Sequence, residues 1–519
     1  MTTQEKFNAG IIGLGVMGAA LARNLVGKGV ALAAFSREGE VRERFRLAAF
    51  SREADERERF RVSGSADAGC LSDSTGSGCL SDSADAGCFE VFDALEAFVA
   101  SLAVPRRIML MITAGPPVDQ VLDSLLPLLD PGDVVMDCGN SWYRDTMRRG
   151  ARLNALGLHY MGVGVSGGEQ GALEGPSVMA GGDPEGWHIC ADLLRACAAE
   201  ADGVPCCGYL GTDGAGHYVK MVHNGIEYGV LELIAEACLL MGRLKGWSDT
   251  EIADCFSHWR SGKLASYLID ATTVVLSKRD EDGALLVDQI LDVAGQNGTG
   301  KWTALEGIER GVYIPTISEA LAMRSHSERL ELRHRGQAEL HITPVSMEFC
   351  GDPYRVTAIK RRLDDRELPS LEEKDMEDAL YAAILFCYSQ GFELLAAASQ
   401  HFLWNIPLNE VANVWKAGCI IRAELLYSIE KALDSAYQGN LLLSEEFHPL
   451  KEEAALRRLS AAAAAAGISA PAFSASLNYY DACRAGQMPV NLIQGLRDHF
   501  GAHKFRRVDR EGLFHEKWD

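Results

Sequence analysis

Ala9-Gly-Ile-Ile-Gly13-Leu14-Gly15-Val16-Met17-Gly18, running on through Ala19–Val26 to Val30-Ala-Leu-Ala-Ala-Phe35, is the stretch that decides the fold. Ala9–Leu14 reads as a buried strand and Met17–Val26 has helical spacing. Gly27 and Gly29 break the helix, and Val30–Phe35 reads as a second strand. Glycines at the first, third and sixth places of a strand-to-helix turn are a dinucleotide-binding pattern. The first makes the tight turn, the second lets a pyrophosphate reach the backbone, and the third lets helix and strand pack closely. The helix N-terminus then holds the phosphates. Gly13, Leu14, Gly15, Val16, Met17 and Gly18 are therefore expected to bind a cofactor.

The end of the second strand selects which one. An acidic residue there would bind the ribose hydroxyls of NAD, whereas an arginine accommodates the 2′-phosphate of NADP. The chain reads Phe35-Ser36-Arg37-Glu38. Ser36 is short and uncharged, and Arg37 offers a fork that matches a phosphate. Glu38 stands beside it as a counter-charge, and Ser51-Arg52-Glu53 repeats the same residues downstream, but the first copy follows the glycines at the normal spacing. Ser36, Arg37 and Glu38 are expected at the cofactor, and the cofactor is expected to be NADP.

The chain has 519 residues, enough for about three domains. With 47% hydrophobic and 24% charged residues it has the balance of a globular protein. Fifty Lys and Arg against 72 Asp and Glu give a net charge of −22, which argues against nucleic acid as a partner. The start has no basic leader pattern and no apolar run reaches membrane length, so a cytoplasmic protein without a membrane partner is expected. No CxxC occurs. Cys238, Cys387 and Cys419 sit in apolar helical surroundings, and the adjacent Cys206-Cys207 reads as packing, all consistent with a reducing compartment.

Arg107–Ile112 and Asp133–Asp137 read as further strands with a helix over 121–129, so a parallel α/β sheet is expected to about residue 212. From 213 the pattern is helical, with runs at 217–244, 250–270, 371–400 and 409–436. Residues 1–212 are thus expected to form a Rossmann domain, 213–484 an all-helical domain, and 485–519 a tail of little apolar periodicity. Residues 33–46 recur nearly unchanged at 48–61, SADAGC occurs at 65–70 and 83–88, and GCLSDS occurs at 69–74 and 78–83. Cys70, Cys79 and Cys88 owe their even spacing to these copies. A βαβ unit needs only about 30 residues, so the segment about 48–90 is expected to be an insertion looping from the sheet.

The stretch Gly216-His-Tyr-Val-Lys220-Met-Val-His223-Asn224-Gly-Ile-Glu227-Tyr228 carries the chemistry. Positions 220, 223, 224 and 227 fall at i, i+3, i+4 and i+7, one face of a helix. Lys220 and Glu227 would lie about 10 Å apart along the axis, a span suited to a small sugar acid between a base and an acid.

KMVHNGIEY, with GLGVMG, Asp137-Cys-Gly-Asn-Ser141, Gly162-Val-Gly-Val-Ser-Gly-Gly-Glu169, Gly298-Thr-Gly-Lys-Trp-Thr303 and Leu492-Ile-Gln…Arg497-Asp-His-Phe-Gly-Ala-His503, resembles 6-phosphogluconate dehydrogenase (decarboxylating). The resemblance spans nearly the whole chain outside roughly 48–90. It implies a Rossmann domain, a large helical domain that builds a homodimer, and a tail that reaches the partner's active site. It makes Lys220 the general base and then acid, and Glu227 the general acid. Ser166, Gly167, Gly168, His223 and Asn224 would hold the sugar carboxylate and hydroxyls, with Asn140 between cofactor and substrate. Tyr228, Arg324, Arg497 and His503 would bind the phosphate end, the last two across the dimer. Ile112, Thr113 and Ala114 would line the cofactor.

Three motifs depart from the family pattern, at four positions. Asn297 replaces a phosphate-binding lysine, Thr113 replaces a lysine near the cofactor, and Cys138 and Trp142 alter the segment around Asn140. The implied reaction is oxidative decarboxylation of 6-phosphogluconate to ribulose 5-phosphate in the pentose phosphate pathway, with NADP and no metal. Asn297 keeps open a relative acting on an unphosphorylated sugar acid such as gluconate. The repeats keep open a catalytically silent NADPH-binding protein. A sugar-binding module without redox chemistry would leave the glycine turn unexplained.

Overall fold

Apolar four-residue runs become the centre of one sheet, because each is covered on both faces. In this computed structural model, which describes residues 6–50, 77–79, 88–296, 298–340 and 371–518, the sheet has nine strands. These are β1 (Ala9–Ile12), β2 (Leu32–Phe35), β3 (Ser77–Cys79), β4 (Cys88–Phe92), β5 (Arg107–Leu110), β6 (Val134–Asp137), β7 (His159–Ser166), β8 (Ser177–Gly182) and β9 (Cys207–Tyr209). Their order is β9-β8-β7-β6-β5-β1-β2-β4-β3. The run from β4 to β7 is parallel and reverses direction of winding at β1, the crevice where Rossmann sheets bind ligands. β8 is antiparallel to β7, and β3 antiparallel to β4.

Neighbouring residues of β1 serve opposite cores. Ile11 packs with Leu21 and Leu25 of α1 (Val16–Gly27), and Ile12 packs with Phe98, Leu110 and Leu122 on the other face. The first repeat copy supplies β2 and α2 (Gly39–Phe50). Most of the second copy lies outside the described residues. Cys88–Glu90, which the sequence reading placed within the insertion, belong to the sheet instead: Phe89 pairs with Leu32 and Glu90 with Ala33.

Beyond Gly214 the chain is helical. The long α3 (Ala215–Leu240) lies directly on β7 and β8, because glycines remove the side chains between them. A Cβ on Gly216 would fall 2.2 Å from the carbonyl oxygen of Gly162, and one on Gly164 would fall 2.4 Å from Cβ of Lys220. On its other side α3 meets α6 (Glu373–Phe402), where Ile226 would collide with any Cβ on Gly391. α6 is long and apolar enough to span a membrane by composition, yet 83% of its apolar window is buried inside the protein. Between them in sequence run α4 (Thr299–Arg310) and α5 (Pro315–Ser327).

Several helical runs are shorter than their periodicity predicts. The 250–270 run stops at Trp259 and restarts at Tyr267, where the Ser266 side chain accepts from the Ile269 N–H. The 409–436 run divides into Leu408–Val414 and Leu425–Leu433. Gly418, at φ 72°, turns the chain between them so that its carbonyl accepts the Ser177 N–H of β8 at 3.1 Å. Residues 485–519 are not featureless, since they contain α7 (Val490–Gly501). Its following segment folds back, and the fully buried Asp498 carboxylate accepts from the N–H groups of Lys504 and Glu516 and from Nε1 of Trp518.

Candidate active site

The register of the parallel strands sets out the site. Ile12, Leu110, Asp137 and Gly162 stand in one row across β1, β5, β6 and β7. Gly13, Ile112, Cys138 and Ser166 therefore emerge from the same edge. Gly13 has φ 100°, and a Cβ there would strike the Met111 carbonyl oxygen at 2.3 Å. A Cβ on Gly18 would lie 1.9 Å from the Gly13 carbonyl oxygen, which is the close helix–strand approach the motif requires. Gly15 faces open space, and α1 begins there with no capping side chain and no acidic residue in its first turn.

Ser36 is buried, and its carbonyl is held by the Arg42 guanidinium, which also pairs with Asp93 at 2.9 Å. Arg37 and Glu38 project outward, and no ion pair joins them among the described residues. The exposed guanidinium beyond an uncapped, glycine-lined helix start suits a dinucleotide with an extra phosphate. These residues fit NADP. Asn140 is exposed at the end of β6, while Ile112 and Ala114 are half-buried and Thr113 is exposed in the loop after β5.

α3 carries the reactive face against the end of β7. Lys220 is 7% exposed and His223 is fully buried. Nζ of Lys220 lies 3.5 Å from Nδ1 of His223, and Nε2 of His223 lies 3.1 Å from Oγ of Ser166. His223 Nδ1 also lies 3.1 Å from Asn224 Oδ1 and 3.9 Å from Glu227 Oε2. The Asn224 amide donates to Oγ1 of Thr299, the first residue of α4, at 3.1 Å. Gly167 and Gly168 follow Ser166 at positive φ, 138° and 65°. Tyr228 is buried on the next turn, with the Arg324 guanidinium of α5 stacked 3.6 Å over its ring.

Burial governs the protonation of this cluster. It pushes Lys220 down from 10.5 to about 8, against the upward pull of the Glu227 carboxylate. It also carries His223 well below 6.5, with nearby Lys220 acting the same way. Glu227 is raised from 4.5 by burial, opposed by Lys220 and Arg324. The result is a poised amine, a neutral imidazole and a carboxyl shifted toward holding its proton.

Within one chain, the tail residues Arg497 and His503 make no hydrogen bond to this cluster among the described residues; Arg497 instead donates to Gln494 at 3.0 Å. Asn297 lies outside the described residues. Two participants carry no assigned role in the sequence reading. Thr299 sits within the quoted Gly298-Thr-Gly-Lys motif, yet its bond to Asn224 spans 75 positions. Asp137 is fully buried and accepts from Ser141 Oγ at 2.7 Å, Tyr160 OH at 3.0 Å and Gly139 N at 3.2 Å, which fixes the loop that presents Asn140. A buried aspartate ending a strand was the available signal.

Residues 8–211 match the NAD binding domain of 6-phosphogluconate dehydrogenase, and residues 216–518 match its C-terminal domain. The chain is 42% identical to the decarboxylating 6-phosphogluconate dehydrogenase of Synechococcus elongatus, covering 98% of each chain. It is 39% identical to the NADP(+)-dependent decarboxylating enzyme of Bacillus subtilis, covering 99% of each. A solved structure of Plasmodium falciparum 6-phosphogluconate dehydrogenase superposes with a TM-score of 0.84 at 34% identity, covering 98% of this chain and 100% of the other. The chain belongs to the 6-phosphogluconate dehydrogenase family.

Proposed function

We propose that this chain oxidises and decarboxylates 6-phosphogluconate to ribulose 5-phosphate and CO2 with NADP, and that Lys220 and Glu227 move the protons. The observation that carries this reading is the Lys220–His223–Asn224–Glu227 face, buried against Ser166 at the edge where the glycine turn also opens. Gly13–Gly18, Ser36, Arg37, Glu38 and the loop Ile112-Thr113-Ala114 would hold NADP, with Asn140 between cofactor and substrate. When bound, its nicotinamide supplies the hydride acceptor.

With its value near 8, roughly a tenth of Lys220 is neutral at pH 7. The neutral amine takes the C3 hydroxyl proton of the substrate as that carbon is oxidised. The ammonium so formed then polarises the new ketone while the neighbouring carboxylate leaves as CO2. Glu227, raised by burial, protonates C1 of the resulting enediol. His223, Asn224, Ser166, Gly167 and Gly168 hold the carboxylate and hydroxyls. Tyr228 and Arg324 receive the phosphate end, together with Asn297.

We further read residues 1–212, 213–484 and 485–519 as the three parts of the chain, and a homodimer as its working state. On α7, Leu492, Ile493, Leu496 and Phe500 are 49% to 72% exposed, an apolar face suited to a second copy. Arg497 and His503 on that tail would complete the partner's phosphate site. The buried thiols Cys138, Cys190, Cys197, Cys387 and Cys419 fit a cytoplasmic setting.

The test of the activity follows NADPH absorbance and CO2 release with 6-phosphogluconate and with gluconate. Equimolar NADPH and CO2 from 6-phosphogluconate supports the reading; activity confined to gluconate contradicts it. Tail exchange is tested by mixing Lys220→Met with Arg497→Ala. Hybrid dimers regain activity if the tail serves the partner, and stay inactive if it serves its own chain.

A further inference from the structure

Two loops carry residues read as lining the cofactor on the side of β1 away from β2, and so at its nicotinamide end: 111–115 after β5, with Ile112, Thr113 and Ala114, and 137–141 after β6, with Asn140. Their strands are neighbours, with Leu110 opposite Asp137, and Gly139 packs against the Ile112 carbonyl, but among the described residues no side-chain hydrogen bond runs directly from one loop to the other. Arg149 reaches both. It stands on the helix Tyr143–Asn154 and is 1% exposed. Its Nη2 donates to the Gly115 carbonyl oxygen at 2.8 Å, at the end of the first loop. The same nitrogen donates to Asp119 Oδ2 at 2.8 Å, and Nε donates to Asp119 Oδ1 at 3.1 Å. Its Nη1 turns to the second loop, 3.4 Å from Ser141 Oγ and 3.5 Å from Asp137 Oδ2.

A guanidinium is a rigid plane of five N–H donors, so it can set the distance between groups on its two sides; an ammonium on a flexible stem cannot. Asp137 is the second half of the device, since it is fully buried and organises Gly139 and Ser141 around Asn140. Gly13–Gly18 and Ser36–Arg37 of the adenosine half hang on β1 and β2. Gly13 packs on Met111 and Ile112 at the near end of the first loop, whereas Arg149 holds its far end at Gly115, and no bond joins Gly13–Gly18 or Ser36–Arg37 to Arg149 among the described residues.

We propose that Arg149 is a positioning residue for the oxidation step, fixing the 111–115 and 137–141 loops against each other so that the nicotinamide end of NADP is held over the Lys220 face. This rests on the reading of Ile112, Thr113, Ala114 and Asn140 as cofactor residues. The consequence is a split: loss of Arg149 weakens use of whole NADP but spares the adenosine end. A purely structural ion pair would affect both together, because it would loosen the whole domain.

Arg149→Lys keeps the charge and loses the fork. Asp119→Asn removes the half-buried carboxylate that orients the guanidinium, and leaves the buried core untouched. For each variant the measurements are kcat/KM for NADP and the Kd of adenosine 2′,5′-bisphosphate by calorimetry. Loss of such charge-assisted bonds is expected to lower kcat/KM for Arg149→Lys by about ten- to hundredfold. Asp119→Asn should shift it in the same direction by less, and the Kd for the bisphosphate should hold within about twofold in both. Guanidinium ion at low concentration should restore part of the rate to Arg149→Ala. Unchanged kinetics in both variants, or equal loss of NADP use and bisphosphate binding, overturns the proposal. Asn140→Ala separates the two ways of failing. If it leaves NADP kinetics unchanged, the loop reading is wrong and the proposal falls with it; if it impairs them while Arg149→Lys does not, the Arg149 role alone is wrong.

Discussion

Nε2 of His223 meets Oγ of Ser166 at 3.1 Å, while Nδ1 of the same ring faces Nζ of Lys220 at 3.5 Å. One imidazole thus joins the end of β7 to the lysine proposed as the base on α3. Because burial carries His223 well below 6.5, the ring stays neutral near pH 7 and adds no like charge beside the lysine. The lysine can then lose its proton at a pH where a surface lysine could not.

The pH profile follows from the same pair. In the proposed role Lys220 can act as a base only when neutral, so the acid limb of kcat/KM should fall as pH drops through about 8. Glu227 raises Lys220, so Glu227→Gln should move that limb to lower pH as well as slow the reaction by on the order of 10²- to 10⁴-fold. Because the two groups interact, the apparent values belong to the pair. Stopped-flow NADPH absorbance across pH checks this; a limb that stays put or rises would sink the coupling.

Gly164 is where the fold and the chemistry meet. Its replacement by alanine puts a methyl 2.4 Å from Lys220 Cβ, and neither the strand nor the helix backbone can yield freely. Gly164→Ala should cost about 1–3 kcal/mol of stability and a larger share of kcat than of substrate affinity. Thermal melts with steady-state kinetics test it. Wild-type turnover would mean that the close packing of α3 on β7 does not set the lysine.

Cofactor choice should reside in Arg37. Arg37→Ala removes a charge-assisted contact worth about 1.5–3 kcal/mol, so KM for NADP should rise roughly ten- to hundredfold while that for NAD barely moves. An unchanged preference would transfer the role to the second copy of the repeat, at Arg52.

The local patterns of this chain were legible because each is set within a few residues. The glycine turn at 13–18 needs only its own backbone, and the 220–227 face needs only helical spacing. What escaped was tertiary. The division of 409–436 depends on Gly418 docking against Ser177, and Phe89 joins β2 from the far side of the repeats. The bonds from Arg149 to Gly115 and from Asn224 to Thr299 tie elements whose proximity no periodicity encodes. The roles of Lys220 and Glu227 came from family resemblance, whereas the burial that adjusts them is visible only in the fold.

The most direct measurement is NADPH formation from 6-phosphogluconate by Lys220→Met, a variant that fills the same volume without a titratable amine. The account predicts that the rate falls by at least on the order of 10²-fold at every pH while the Kd for NADP stays within a few-fold of the parent. A variant that still produces NADPH at a substantial fraction of the parent rate, with the parent pH profile, would contradict it: the base would then lie elsewhere than on this helix face.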